Sequence, residues 1–285
     1  MKPAPFTYYA PRTIEEVIER LGAVAGDDGR ILAGGQSLVP AMAFRLARPA
    51  HLIDINGVVA LDRLEVERDT LAVGALVRHA AFHRPVVEGP LGNLLSEMAR
   101  HIAHYPIRLR GTFCGSLANA DPASEWCLAA VVLDAQLVIA SSRGERRLAA
   151  RDFFKGIMTT ALQEDELLTA ARLPMLAGDI RAGFVEFSRR AGDYALAMTL
   201  ASYRITDGLI AAPRIGIGGA EALPRRIPEA EALLAGQPPS NELFRAAAEA
   251  AAIAIDPLED IQADADYRRD LVRAVTRRAL EQAAR

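Results

Sequence analysis

The sequence predicts an α+β chain in two parts. Up to Pro174, short apolar runs alternate with helical patterns, the layout of small sheets covered by helices. The composition then shifts over Met175-Leu176-Ala177-Gly178-Asp179, a candidate linker. Beyond it, three longer strand patterns precede three Ala- and Glu-rich helical stretches, which suggests an antiparallel three-stranded sheet with helices on one face. No repeat of solenoid period is present.

The elements follow in order. Thr13 is placed to cap a helix, with Glu16 at capping-box spacing and Ile14, Val17, Ile18 and Leu21 as its apolar stripe. Asp27-Asp28-Gly29 turns the chain into a short strand, Arg30-Ile31-Leu32, which ends in a first glycine turn. Pro40 suits the first turn of a helix running to about Leu46. His51 to Ile55 is strand-like, and Leu64-Glu65-Val66 with Leu71-Ala72-Val73 forms a hairpin about Arg68-Asp69-Thr70. Helical segments are expected near 78–83 and 91–104, and a strand-like run then leads into a second glycine turn, Gly111-Thr112-Phe113-Cys114-Gly115-Ser116. Asp121 as N-cap and Pro122 at N1 open a helix to about Leu133. Leu137-Val138-Ile139 and Arg147-Leu148 read as a hairpin, and Leu167 to Leu173 as a strand. The last third reads as strands near 183–190, 195–206 and 209–218 and helices near 228–235, 240–254 and 265–283.

Bulk properties narrow the function. Of 285 residues, 51% are hydrophobic and 24% charged, with a formal net charge of −3, an ordinary globular composition. That balance gives no reason to expect nucleic acid or an anionic membrane as partner. Arg268-Arg269 and Arg277-Arg278 read as a solvated helix face. Cys114 and Cys127 are too few for a disulfide scaffold, and their separation fits neither a zinc ribbon nor an iron–sulfur loop, so no metal cluster is expected in this chain. No run reaches the ~18 apolar residues of a membrane span, and no secretory h-region is evident, so a cytoplasmic protein is expected.

The two glycine turns carry the chemistry. Adjacent Gly34 and Gly35 leave no Cβ in the way of a ligand, and Ser37 adds a hydroxyl. The following helix would point free N–H groups at the turn, which makes an anion site or simply a strand-to-helix connection. The second turn adds Thr112, Ser116, Asn119 and Asp121 in an otherwise aliphatic stretch. Glu125 is placed either to cap the next helix or to accept from a ligand hydroxyl. Two such turns suggest a diphosphate held from two sides. Neither fits the G-x-G-x-x-G fingerprint or the phosphate loop, and Gly216-Ile217-Gly218-Gly219 reads as a strand end. The pairs His79/His83 and His101/His104 have helical metal-ligand spacing but no clear third ligand, so packing roles compete with metal binding. Arg189-Arg190-Ala191-Gly192-Asp193-Tyr194 is a hairpin tip, or a tip that reaches a cofactor ring with Tyr194. No nucleophile elbow is present.

These residues resemble a known family. Ala33-Gly34-Gly35-Gln36-Ser37-Leu38-Val39-Pro40, followed by Met42 and Arg45, looks like the first flavin motif of the FAD-binding medium subunits of the molybdenum hydroxylases. Ile107 to Pro122 looks like the second, and Gly192-Asp193-Tyr194-Ala195 like a weaker third. The resemblance implies a two-subdomain FAD-binding fold of the vanillyl-alcohol-oxidase/PCMH type, with subdomains 1–56 and 57–176, and a C-terminal α+β domain over 177–285 of the CO dehydrogenase flavoprotein type. It implies FAD contacts at Ile31, Leu32, Ala33, Gly34, Gly35, Gln36, Ser37 and Leu38, and at Thr112, Cys114, Gly115 and Ser116, with Asp121 and Glu125 nearby. Leu168 would lie on the strand lining the flavin ring and Tyr194 beside the isoalloxazine; Ala103 and Asn119 complete the set.

Partners are implied as well: a large subunit with the molybdenum cofactor and a small subunit with two [2Fe–2S] clusters, as a dimer of heterotrimers, with electrons passing through FAD to an external acceptor. A self-contained reductase similar to UDP-N-acetylenolpyruvylglucosamine reductase and a flavin-free assembly subunit are the alternatives. Two departures stand out. Cys114 replaces a usual glycine, and because a positive φ would cost it roughly 1–2 kcal/mol, a β or right-handed conformation is predicted there. Glu186 stands where a Lys is common, with Arg189 or Arg190 as possible substitutes.

Overall fold

The computed structural model describes residues 2–285. The first sheet is built from β1 (Thr7–Tyr9), β2 (Gly29–Leu32) and β3 (His51–Asp54), all parallel, in the order β1-β3-β2. Helix α1 (Ile14–Val24) joins β1 to β2, and α2 (Leu38–Ala43) joins β2 to β3. Thr13 caps α1 by accepting from the Glu16 N–H at 3.2 Å, while the Glu16 carboxylate accepts from the Arg12 N–H, one residue before the ideal capping box. Val17, Leu21 and Val24 are the buried face of α1.

The second sheet has five antiparallel strands in the order β4-β5-β10-β6-β7. It combines β4 (Leu64–Glu67), β5 (Thr70–Gly74), β6 (Gln136–Ser141), β7 (Gly144–Ala149) and β10 (Leu167–Pro174). A short β8 (Phe154–Gly156) and β9 (Thr159–Thr160) pair separately. Between β5 and β6 the chain forms a 3-10 turn over His79–His83 and then α3 (Pro90–Ala99), α4 (Tyr105–Arg108), α5 (Phe113–Asn119) and α6 (Glu125–Val132); α7 (Ala150–Phe153) follows β7. Every residue of α6 is buried, as a helix apolar on all sides beyond Glu125 requires. Trp126 on α6 packs against Phe82 and Phe113, with ring centroids 5.1 and 4.8 Å away.

The third sheet is β11 (Arg181–Phe187), β12 (Ala197–Thr206), β13 (Leu209–Gly218) and the short β14 (Arg225–Arg226), antiparallel in that order. Helices α8 (Pro228–Leu234), α9 (Asn241–Ala254) and α10 (Ala265–Ala283) complete it. The sheet reaches α6 through Gly216, where an added Cβ would lie 2.1 Å from Val132 Cγ2. Buried Thr199 and Thr276 hydroxyls bond at 2.9 Å between β12 and α10.

Several elements differ from the sequence reading. The C-terminal sheet gains β14, too short for its alternation to register. The run before Gly111 is the helix α4, not a strand. A further helix, α5, starts directly after Thr112. The helix expected from Asp121 starts at Glu125 behind Ser124, because Asp121 makes a local turn by accepting from the Ala123 N–H at 2.9 Å. Helix α2 begins at Leu38 and stops early, since Arg45 adopts a left-handed φ of 61°. Its N–H bonds the Met42 carbonyl and the Leu46 N–H bonds the Ala41 carbonyl, a Schellman closure. The helix expected to reach residue 104 ends at Ala99.

Arg268 is the clearest correction. It is not on a solvated face: its side chain is 3% exposed. Its guanidinium donates to the carbonyls of Leu196 (2.7 Å) and Gly219 (2.9 Å) and to Asp260 (2.7 Å), tying α10 to the ends of β12 and β13. Arg268→Ala leaves two buried carbonyls unpaired and is expected to destabilise the chain by about 2–5 kcal/mol. Chemical denaturation of the variant checks this, and a loss under ~0.5 kcal/mol would refute the tie.

Candidate cofactor cradle

The two glycine turns touch. A Cβ on Gly34 would fall 2.4 Å from the Arg110 carbonyl oxygen and 2.6 Å from Gly111 Cα, so only glycine permits this approach. Gly35 follows with φ 73°. Gln36 Nε2 donates to the Gly34 carbonyl at 3.1 Å. Among the described residues, the backbone N–H groups of Gly34, Gly35, Gln36 and Ser37 donate to no protein acceptor. Consecutive unpaired N–H groups at a strand-to-helix turn make a concavity suited to an anion.

Residues outside the motifs brace this junction. Asn56 Nδ2 donates to the Ala33 carbonyl (2.8 Å) and to Asp54 (2.6 Å). Arg78 donates to Asn56 Oδ1 at 2.6 Å and to the Arg110 carbonyl, spanning both turns. Tyr8 donates its hydroxyl to Asp54 at 2.6 Å. Burial pushes the Asp54 carboxyl up, but the bonds from Tyr8 and Asn56 outweigh it and hold it below its usual range. The sequence reading missed Arg78 and Asn56. Neither stands in a motif, and their value comes from tertiary placement.

The second turn is a helix start. Thr112 caps α5 by accepting from the Gly115 N–H at 3.0 Å. Cys114 lies inside α5 and is absent from the positive-φ residues, so of the two conformations predicted, β or right-handed, it takes the right-handed one. It points into the core, its thiol donating to the Val73 carbonyl at 3.4 Å, and burial raises that thiol to about 12. Gly115, Ser116 and Asn119 lie on the less buried side of the same helix. Behind Gly111 stands His79, whose Nε2 is 2.5 Å from where a Cβ would be. Trp126 donates to His79 Nδ1 at 2.9 Å, and burial lowers this histidine to about 4, so it is a neutral packing group. His83 accepts from Arg108 at 2.9 Å. No group of three metal-ligating side chains occurs among the described residues.

A second cluster forms where the C-terminal sheet meets the N-terminal part of the chain. Ala103 takes a left-handed φ of 41°, and Arg108 fixes this turn by donating to the Ile102 and Ala103 carbonyls at 2.7 and 2.8 Å. Gly192, φ 85°, lies against His104, where a Cβ would come within 2.5 Å of the ring. The tip between β11 and β12 carries Tyr194, which is 68% exposed. Burial, then the charges of Asp121 and Glu125, raise the Tyr194 hydroxyl. Leu168 is buried on β10 beside a bulge. Glu125 stands buried in the first turn of α6, and the Glu186 side chain on β11 is 3% exposed, with His101 Nδ1 3.9 Å from its Oε2. Arg189 and Arg190 are exposed at the tip and do not take the place of a cation at 186.

Burial comes first in raising both Glu125 and Glu186; the charge of Asp121 adds to it at Glu125, and that of Glu125 adds to it at Glu186. The folded chain therefore keeps protons that the unfolded chain loses above its carboxyl value of 4.5. The sign follows: stability falls as pH rises from the ordinary carboxylate range through neutrality. Glu186→Gln is expected to flatten that fall in thermal melts of the unliganded chain, and an unaltered pH profile would refute a raised carboxyl at 186. Gly34→Ala is expected to cost about 1–3 kcal/mol by forcing the turns apart, measured by denaturation; a neutral effect would mean the turns need not touch.

Comparison with known proteins agrees with this geometry. The family described as FAD binding domain in molybdopterin dehydrogenase matches residues 4–176, and the CO dehydrogenase flavoprotein C-terminal domain matches 182–283. The chain is 39% identical over 284 residues to the nicotine 6-hydroxylase medium subunit of Paenarthrobacter nicotinovorans, covering 99% of each chain. Carbon monoxide dehydrogenase from Hydrogenophaga pseudoflava contains a chain of the same fold, with TM-score 0.95, 34% identity and coverage of 100% and 99%. Quinoline 2-oxidoreductase from Pseudomonas putida 86 gives TM-score 0.93 at 36% identity, covering 100% and 99%. The chain belongs to the FAD-binding medium subunits of the molybdenum hydroxylases, and is thus an FAD-dependent oxidoreductase subunit of that family.

Proposed function

We propose that this chain holds FAD across its two glycine turns and relays electrons from [2Fe–2S] clusters of a small partner subunit to an external acceptor. A large partner would carry the molybdenum cofactor and choose the substrate, in a dimer of heterotrimers. The observation that carries this reading is the contact of Gly34 with Arg110 and Gly111, beside four unpaired N–H groups. FAD, when bound, supplies the redox chemistry; the chain supplies position and electrostatics. The relatives act on nicotine, carbon monoxide and quinoline by name, which supports a shared relay with substrate selection elsewhere.

In this reading Ile31 to Leu38, with Thr112, Cys114, Gly115 and Ser116, form the diphosphate cradle. The role of Cys114 is through its backbone, because its thiol faces the core. Ala103, Asn119, Asp121, Glu125, Leu168 and Tyr194 complete the cofactor surroundings. The working units are 1–56, 57–176 and 177–285, the last presenting Tyr194 from its tip. The cytoplasm is the proposed compartment, which suits two free buried thiols. No helix among the described residues is long and apolar enough to cross a membrane.

Purified protein is expected to show a flavin absorbance band and to release FAD rather than FMN; colourless folded protein would refute the reading and favour a flavin-free assembly role. Gly35→Asp places a charge at the anion site, and a side chain where φ is positive and Leu32 and Val39 stand 3.1 Å from a Cβ. It is expected to abolish FAD retention with unaltered circular dichroism, and undiminished binding would rule the cradle out.

A further inference from the structure

The two turns of the cradle belong to different sheets. Gly34 to Ser37 follow β2 of the three-stranded sheet, whereas Gly111 to Ser116 open α5, which packs on β5 and β10 of the five-stranded sheet. Among the described residues, no backbone hydrogen bond joins 31–38 to 107–116. A single diphosphate is gripped from both turns only if their separation is fixed.

The second turn is fastened on its own side. The His79 N–H donates to the Gly111 carbonyl and the Phe113 N–H to the Val77 carbonyl, both at 3.0 Å, so Arg78 stands opposite Thr112 in a β-bridge. From this fixed backbone the Arg78 guanidinium reaches two ways, to the Arg110 carbonyl and to Asn56 Oδ1 at 2.6 Å. Asn56 Nδ2 carries the link on to the Ala33 carbonyl at 2.8 Å. Asp54 holds the Asn56 amide in this sense, accepting from its backbone N–H at 2.9 Å and from its Nδ2 at 2.6 Å, and Tyr8 holds Asp54 in turn at 2.6 Å. Hydrogen bonds therefore run unbroken from the second turn to the first through Arg78 and Asn56. A guanidinium suits this position because its planar fork donates in two fixed directions, whereas an ammonium is a point charge on a flexible stem.

We propose that Arg78 is a positioning residue for the cofactor: it sets the gap between the two glycine turns, and so how tightly FAD is held, by acting through the Arg110 and Ala33 carbonyls. This rests on the FAD cradle reading above. Without the guanidinium, the Arg110 carbonyl and Asn56 Oδ1 lose their shared donor and the first turn is free to shift on its own sheet. The four N–H groups of Gly34 to Ser37 are then no longer held at a fixed distance from α5.

The test is FAD binding by the full chain, read from flavin fluorescence well below the melting transition of each variant. Arg78→Met is expected to raise Kd by about 10- to 100-fold. Arg78→Lys keeps the charge but not the fork, and is expected to bind nearly as weakly. Asn56→Ala cuts the same relay from its other end, and decides the matter if Arg78→Met does not fold. The double variant is expected to bind no more weakly than the weaker single variant, because one link is being cut. Unchanged Kd in Arg78→Met or Asn56→Ala, full wild-type affinity in Arg78→Lys, or effects that multiply in the double variant would each overturn this inference alone. Failure of wild type to bind FAD would overturn both it and the cradle reading. A purely structural role would lower the melting temperature of the unliganded chain and leave Kd of the folded variants at the wild-type value.

Discussion

Helix α6 is apolar after its first residue, Glu125, and is buried along its whole length. A helix apolar all round must be enclosed. Here α5 and the aromatic cluster of Phe82, Phe113 and Trp126 pack against it, and β13 closes the remaining side. Gly216 is needed because β13 comes too close to Val132 for any side chain. The C-terminal sheet is therefore held to the rest of the chain by close packing, and its tip is set against His104 through Gly192. His79 links the same core to the site: it accepts from Trp126 and backs Gly111.

Much of the fold was legible because its periodicity is local. The hairpins of β4 with β5 and β6 with β7, the strand β10 and the helices α8 to α10 stand close to where alternation and capping put them. The misses have a common physical origin. Helices α4 and α5 are short and carry little amphipathic signal, so neighbours rather than propensity set their limits. Asp121 looks like an N-cap, yet it is used in a turn while Ser124 precedes the helix. Arg268 lies in a helix that is polar in sequence, and only the carbonyls of Leu196 and Gly219 explain why a guanidinium is buried there.

The site divides in the same way. The glycine turns were legible as turns, but their mutual contact was not, because nothing in either segment encodes a neighbour from the other. Arg78 and Asn56 tie the turns together through carbonyls, which leave no side-chain signature at the receiving positions. Glu125 was open to two readings, a helix cap or a ligand acceptor. The structure buries it in the first turn of α6, where the loss of water raises its carboxyl to about 7.

Cys114 shows what the motif glycines are for. Of Gly34, Gly35, Gly111 and Gly115, only Gly35 has a positive φ. The other three are required for space: Gly34 against Arg110 and Gly111, Gly111 against His79, and Gly115 against Thr112 Oγ1 at 2.5 Å. Position 114 meets neither requirement. It is helical, and its side chain points into the core toward Val73 rather than toward the cradle. A cysteine is admitted there because the constraint at the second turn is the space at 111 and 115, and the residue before Gly115 is free to serve packing. The departure from the family pattern thus falls at a position where the cradle makes no steric demand.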